Sequence, residues 1–308
     1  MNALPVIILL GPTAVGKTGA SLLLAQALGT EIISADSMQV YRHMDIGTAK
    51  PSAGERARVR HHMIDLVEPS ETFSAGRYRD MAEPIIENIL GQGKVPIVVG
   101  GTGLYIRTLT RGIFAGPSAD WGLRKELLAQ EEETQGYLYR RLTAVDPDAA
   151  SRIMPADTRR LLRALEVSLT TKTGISELRK KHTMPLPYRF IKLGLSRDRQ
   201  ELYRLIEQRI DGMIAQGLVD EVRSVLAMDP GRTALQAIGY KEIAAHLGGE
   251  YPLEDAIRLI KKRTRNYAKR QYTWFRSEPA IRWADVTGLF APEAVHASLA
   301  ILLNNTVT

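Results

Sequence analysis

Residues 11–18, Gly-Pro-Thr-Ala-Val-Gly-Lys-Thr, leave this chain few folds to choose from. They match G-x-x-x-x-G-K-T, a phosphate-binding loop that works only between a strand and a helix. Both neighbours are present. Val6–Leu10 is a short apolar run of buried-strand type, and residues 17–28 carry a helical pattern. Gly11 and Gly16 let the backbone curl, so that the N–H groups of Thr13, Ala14 and Val15 turn toward an anion. Lys17 adds a point charge, Thr18 offers a hydroxyl to Mg²⁺, and the helix adds roughly half a positive charge at its N-terminus. A diphosphate or a triphosphate fits this loop, and the motif alone does not separate them.

Further strands are expected at Glu31–Ser34, at Lys94–Val99 and at Phe190–Leu195, with helices over 75–90 and 104–111. Strands alternating with helices indicate a parallel sheet. The pattern changes between two breaker clusters, Gly116–Pro117 and Pro185–Pro187. Helices are read there over 120–134, 137–143, 146–153, 157–170 and 176–182, two of them started by Asp146-Pro147 and Asp157-Thr158. Beyond 195, helices follow over 198–216, 217–227, 234–247 and 253–276. The expected fold class is α/β. A P-loop NTPase-like parallel-sheet core with a helical C-terminal part spans 1–116 and 190–308, and an all-helical domain spanning 117–189 is inserted into it.

Composition removes several chemistries. The chain has no cysteine, which excludes disulfides, cysteine–zinc sites, iron–sulfur clusters and a cysteine nucleophile. Of its six histidines only His61 and His62 lie close together, which argues against a structural metal, and neither is given a role. The longest apolar run, Leu4–Leu10, is far short of the roughly 20 residues of a membrane span. It also lacks a basic flank and a cleavage pattern. A soluble, cytoplasmic protein without a membrane partner is expected.

The net charge of +7 has a single location. Residues 256–276 hold eight basic side chains and no acidic one, whereas the remainder holds 33 basic and 34 acidic residues. A stripe of this kind suits a polyanion, nucleic acid first. Tyr267, Tyr272, Trp274 and Phe275 lie among the cations, suited either to stacking on unpaired bases or to core packing.

A kinase or ATPase with this loop needs a second acid at the end of an apolar strand to hold its metal. The strand ending in Gly-Gly-Thr-Gly at 100–103 supplies none. Asp36, in EIISADSMQVY, is the acid at such a strand end. It suits a metal ligand, a base beside the phosphate loop, or the cap of a turn.

GPTAVGKT, SADSMQVYRHMDIGTAKP, HHMIDLVEP, FSAGRY, VVGGTGLYIR, IGYKE and KRQYTWFR follow one another in that order. Together they closely resemble the bacterial tRNA dimethylallyltransferases, over about residues 6–276. The resemblance implies transfer of a dimethylallyl group from dimethylallyl diphosphate to N6 of the adenosine just 3′ of the anticodon in certain tRNAs. It implies that Gly11, Thr13, Ala14, Val15, Gly16, Lys17 and Thr18 cradle the diphosphate, with Thr18 on Mg²⁺. Asp36 becomes the general base, Asp36, Ser37, Met38 and Gln39 hold the target base, and Thr102 sits near the reacting centre. Arg209, with Arg204 close by on the same helix, matches an arginine that neutralises the leaving group. The tRNA anticodon stem-loop would be held by Arg124, Arg159, Arg160 and Arg163 and by Gly239, Tyr240 and Lys241. Lys269, Arg270, Gln271, Trp274 and Arg276 complete that set. Without cysteine the chain lacks the zinc finger of many eukaryotic relatives, and a monomer is expected.

Two other readings compete. An adenylate isopentenyltransferase acting on free nucleotides shares the loop and the base but has no need of the helical insertion or the basic stripe. A P-loop kinase or NTPase needs an adenine site and a second magnesium carboxylate.

Overall fold

The computed structural model describes residues 4–114 and 116–307. Six strands form one sheet: β1 (Pro5–Leu10), β2 (Ile32–Ser34), β3 (His61–His62), β4 (Ile97–Gly100), β5 (Arg189–Ser196) and β6 (Ile281–Asp285). Their order is β3-β2-β4-β1-β5-β6, and every pairing is parallel. β1 lies inside the sheet, with Ile7 opposite Ile97 on one side and Leu9 opposite Leu193 on the other. Its residues from Val6 to Leu10 are all buried, as befits a parallel strand covered on both faces. The chain leaves β1 for one half of the sheet and returns to the other through β5. That reversal of strand order leaves a crevice at the C-terminal end of β1, where open α/β sheets bind ligands.

The helices are α1 (Lys17–Ala27), α2 (Ala53–Arg58), α3 (Ala75–Gly91) and α4 (Gly103–Thr110), then α5 (Trp121–Glu133), α6 (Tyr137–Val145), α7 (Pro147–Ala150), α8 (Thr158–Thr171) and α9 (Ile175–His182). They continue with α10 (Arg199–Ala215), α11 (Leu218–Leu226), α12 (Arg232–Leu235), α13 (Tyr240–Leu247), α14 (Leu253–Arg276) and α15 (Pro292–Val307). Two compact units result, Met1–Thr110 with Pro187–Thr308, and Arg111–Leu186. The cuts fall a few residues before the breaker-based boundaries of 117 and 189.

In the larger unit α14 carries much of the site. Ala256, Ile260, Ala268, Gln271 and Phe275 are buried at helical spacing, so one stripe faces inward and the cations stay outside. Burying a side chain such as Phe275 contributes about 1.5–3 kcal/mol. The smaller unit has its own core, built on Leu127, Leu138, Leu142, Leu161, Leu165 and Ile175. Asp146 organises its turns: it accepts N–H bonds from Ala149 (2.9 Å) and Ser176 (2.8 Å) and the Ser176 hydroxyl bond (2.6 Å).

Some elements differ from those read in the sequence. The helix expected over 234–247 is two, α12 and α13, because Gly239 turns the backbone at φ 103°. The helix expected over 146–153 is the single turn α7. β3, β6, α2 and α15 were not foreseen. Strands of two and five residues leave little periodicity to detect. No helix among the described residues is long and apolar enough to cross a membrane.

Candidate active site

Two cavities meet at the C-terminal end of β1. The first, about 380 Å³, is walled by Thr13, Ala14, Gly16, Lys17 and Thr18 of the phosphate loop and by Asp36, Gln39, Arg209 and Gln271. The second, about 290 Å³, is lined on its far side by Ile206, Ile210, Met213, Leu218, Ile238 and Ile260. Thr13, Ala14, Asp36, Thr48, Arg209 and Tyr267 belong to both linings. A polar chamber therefore opens beside an apolar one across a wall that carries a carboxylate, a guanidinium and a phenol.

The phosphate loop has the conformation its motif requires. Gly11 and Gly16 stand at φ 153° and 108°, and a Cβ on Gly11 would come within 2.9 Å of the Leu195 carbonyl. Lys17 folds back, its Nζ donating to the carbonyls of Gly11 (2.9 Å) and Pro12 (2.8 Å). Desolvation, and after it the charge of Arg209, hold the ammonium down at about 7 against the opposing pull of Asp36. Desolvation also lowers Arg209, against the pull of Asp36. Two cations compressed beside one carboxylate make a site that an anion would relieve. The Val15 side chain is fully buried, so only its backbone can serve a ligand.

Asp36 follows β2. Its Oδ1 accepts N–H bonds from Met38 (2.9 Å) and Gln39 (3.4 Å), which fixes the turn into Asp36–Gln39. Among the described residues no protein donor reaches its Oδ2. One oxygen of Asp36 thus caps the turn, while the carboxylate lines both cavities. Thr102 is not part of either lining. It accepts the Ser37 N–H (3.0 Å) and donates to the Ser37 hydroxyl (3.3 Å), so it supports the Asp36 turn from behind. Arg209 lines both cavities, whereas Arg204 is exposed on the other side of α10, near Asp198 and Glu201. That separates the two arginines that the sequence left adjacent.

Gln271 is a brace. It is 6% exposed, accepts the Thr13 N–H at Oε1 (2.9 Å) and donates from Nε2 to the Gly101 carbonyl (2.9 Å). A Cβ at Gly101 would sit 2.3 Å from that nitrogen, so only glycine lets the brace close. Both ends of its amide bond within the protein, and the side chain also lines the first cavity. Tyr267, one turn earlier, lines both cavities and is in hydrogen-bond contact with Thr102 and Gln271; burial raises its phenol well above the usual range. Tyr267 had been read only as one of several aromatics in the stripe. Its position on the shared wall follows from the spacing 267, 271 on one helix face, a signal visible only once the face is known.

The remaining predicted nucleic-acid contacts divide. Lys269, Arg270 and Arg276 are exposed, and Lys269 and Arg270 line a shallow hollow with Trp274. Lys241 is exposed. Tyr240 is not: it is fully buried, and its hydroxyl bonds Glu221. Gly239 lines the second cavity. In the smaller unit Arg159 and Arg160 are exposed. Arg124 (2.8 and 2.9 Å) and Arg163 instead clasp Glu166, whose side chain is 0% exposed. A buried carboxylate needs such partners. His61 lines the far end of the first cavity, its ring Nδ1 paired with the Val59 carbonyl (2.8 Å). Burial lowers its pKa, which keeps the ring neutral.

Among the described residues no group of three or more His, Asp or Glu side chains forms a metal cage. The exposed hydroxyl of Thr18 and the carboxylate of Asp36 are hard oxygen donors on the first cavity. That sparse set suits Mg²⁺, which keeps waters and takes phosphate oxygens as its other ligands.

The IPP transferase family model matches residues 39–278. The chain is 52% identical to the tRNA dimethylallyltransferase of Thermodesulfovibrio yellowstonii, covering 97% of this chain and 98% of that one. It is 51% identical to that of Syntrophobacter fumaroxidans, covering 94% and 86%. Among solved structures it is similar to the full-length tRNA isopentenylpyrophosphate transferase of Bacillus halodurans, at 40% identity and a TM-score of 0.71, covering 97% and 95%. A eukaryotic dimethylallyltransferase acting on tRNA aligns at 32% identity with a TM-score of 0.82, covering 98% of this chain and 79% of that one.

Proposed function

The chain belongs to the IPP transferase family, and on that premise we propose that it is a tRNA prenyltransferase. It transfers a dimethylallyl group from dimethylallyl diphosphate to N6 of the adenosine 3′-adjacent to the anticodon, releasing diphosphate. It acts in the cytoplasm as a monomer. The observation that carries the reading is the pair of cavities, polar and apolar, sharing Asp36, Arg209 and Tyr267.

The diphosphate takes the first cavity, on the N–H groups of the phosphate loop, with Lys17 and Arg209 against its oxygens. The apolar second cavity receives the flat apolar groups, the five-carbon chain and the adenine ring. The C1–O bond of the donor breaks, and its electron pair leaves with the diphosphate oxygen. Lys17, Arg209 and the loop amides stabilise the charge that develops there. The N6 lone pair forms the new N–C bond, and Asp36 takes the N6 proton at Oδ2. A carboxylate in hydrogen-bond reach contributes about 10²–10⁴-fold to such a step. Mg²⁺, held by the Thr18 hydroxyl, would supply further neutralisation of the leaving group. The adenine must leave its stack, which is least costly in a loop. Lys269, Arg270, Arg276 and Lys241, with Arg159 and Arg160 of the inserted unit, supply the cations for the tRNA backbone.

The test is a transfer assay with labelled dimethylallyl diphosphate, Mg²⁺ and unmodified bulk tRNA, with AMP and ATP in parallel. Label entering tRNA alone is expected. Label entering AMP would establish the free-nucleotide reading, and ATP consumption without transfer would return the chain to the NTPases.

A further inference from the structure

The loop Asp45–Pro51 supplies part of both cavities: Thr48 lines the two, Gly47 the apolar one, Ala49 and Pro51 the polar one. It is a turn, with the Ala49 N–H on the Ile46 carbonyl (3.0 Å) and the Lys50 N–H on the Asp45 carbonyl (3.0 Å), and Ala49 stands at φ 48°, in the left-handed region that a Cβ disfavours. The buried Lys50 ammonium ties one end to the Tyr41 carbonyl (2.8 Å) and to Asp65 (2.6 Å), and a side chain from far along the sequence fastens the other. Glu221, on α11, accepts the N–H groups of Asp45 (2.9 Å) and Ile46 (2.7 Å) at Oε2 and that of Gly47 (2.9 Å) at Oε1. The Tyr240 hydroxyl donates to the same Oε1. Four donors fill the capacity of one carboxylate. Among the described residues Glu221 has no cationic partner, so its charge is spent wholly on holding this backbone and the tyrosine. The fit is close: a Cβ on Gly47 would lie 2.4 Å from the Tyr240 ring and 2.9 Å from Leu218.

The anchor reaches the reacting wall in two steps. Beyond Gly47, the carbonyls of Thr48 and Ala49 each accept from Nε2 of Gln39 (3.3 Å), and Oε1 of Gln39 accepts the Ser34 hydroxyl (3.0 Å). Gln39 ends the turn that Asp36 caps. Displacing Asp45–Gly47 would therefore move the two carbonyls that orient Gln39, and with it the turn that aims the Asp36 carboxylate.

We propose that Glu221 is a positioning residue for acceptor transfer: it sets the Asp45–Ala49 backbone, and through Gln39 the Asp36 turn, without touching either substrate. The kinetic part of this inference rests on the tRNA prenyltransferase reading; the structural part does not.

Glu221→Gln keeps the size of the side chain but gives up one acceptor oxygen for a donor. In the full-length protein, amide hydrogen exchange at Asp45, Ile46 and Gly47 is expected to quicken at least tenfold. Affinity for inorganic pyrophosphate should stay within twofold of wild type, while kcat for transfer to tRNA falls tenfold or more at temperatures well below unfolding. Tyr240→Phe removes one donor yet leaves the three N–H bonds and the ring packing, so its kcat should remain within threefold of wild type. Faster exchange with unchanged kcat would overturn the positioning role and leave Glu221 a structural anchor only. A matching loss of pyrophosphate affinity would overturn it in favour of general damage to the fold. A Tyr240→Phe loss as large as that of Glu221→Gln would shift the role to the tyrosine. If the wild-type protein transferred nothing to tRNA, the functional reading would fail, and the exchange result would still report on the anchor.

Discussion

The two cavities share a wall but are built in opposite ways. The polar one is made largely of strand-end segments, the turn after β1, the turn after β2 and Gly100 and Gly101 at the end of β4, closed by Arg209 of α10 and by Tyr267 and Gln271 of α14. The apolar one is made of side chains from α10, α11 and α14 and the turn before α13, elements separated in sequence and brought together only by packing. The difference is one of chemistry. A diphosphate is held by oriented N–H groups and fixed charge, which a strained loop supplies. A prenyl chain and a base are held by shape, which only packed side chains supply.

Substituting the shared wall should produce the largest effect. Asp36→Asn keeps an oxygen for the Met38 and Gln39 N–H groups and removes the proton acceptor. Transfer to tRNA is expected to fall about 10²–10⁴-fold in single-turnover assays, with pyrophosphate and tRNA binding intact. A parallel loss of pyrophosphate binding would mean that the two chambers are not separable at this residue. Next comes Lys17→Ala, which touches only the polar chamber. A charged hydrogen bond of about 1.5–3 kcal/mol is lost there, so pyrophosphate affinity by calorimetry should drop roughly 10–150-fold while tRNA affinity holds.

Lys17 also gives the polar chamber a pH dependence. With its free-site value near 7, the lysine is largely neutral at pH 8, and the anion binds its cationic form. Binding raises that value, so above pH 7 pyrophosphate should bind with proton uptake. Its affinity should weaken up to about tenfold per pH unit until the bound-state value is passed. Calorimetry in buffers of different ionisation enthalpy measures the uptake; the same proton count in Lys17→Ala as in wild type at pH 8 would show that the lysine takes up none. The smallest effect belongs to the apolar chamber. Met213→Ala should cost about 1 kcal/mol of side-chain contact, roughly a fivefold fall in kcat/KM, with pyrophosphate affinity unchanged.

The same division explains what the sequence made legible. The phosphate loop, the Asp36 turn and the glycines at 100–103 each carry their function in a few adjacent residues, and the alternation of strands and helices gave the parallel sheet. The helical insertion was visible between its breakers. The roles of Tyr267, Gln271 and Glu221 were not, because each acts on partners more than 160 residues away: Glu221 bonds Gly47, and Gln271 bonds Thr13 and Gly101. Nor could a run of arginines declare which members would turn inward. Arg159 and Arg160 stay in solvent, while Arg163 and Arg124 converge on Glu166, a carboxylate whose burial no local pattern announces.

The Gln271 brace also orders events in time. Its two partners stand 258 and 170 residues before it. A ribosome adding about 5–20 residues per second releases the phosphate loop roughly ten seconds to a minute before the amide that braces it exists. Until then the phosphate loop and Gly101 are joined only through the pairing of β1 with β4, Leu10 opposite Gly100, and such long-range contacts form slowly even in a complete chain. The nascent protein thus carries a recognisable phosphate-binding sequence long before it carries a finished anion site, and C-terminal synthesis, not the motif, marks the birth of a working enzyme.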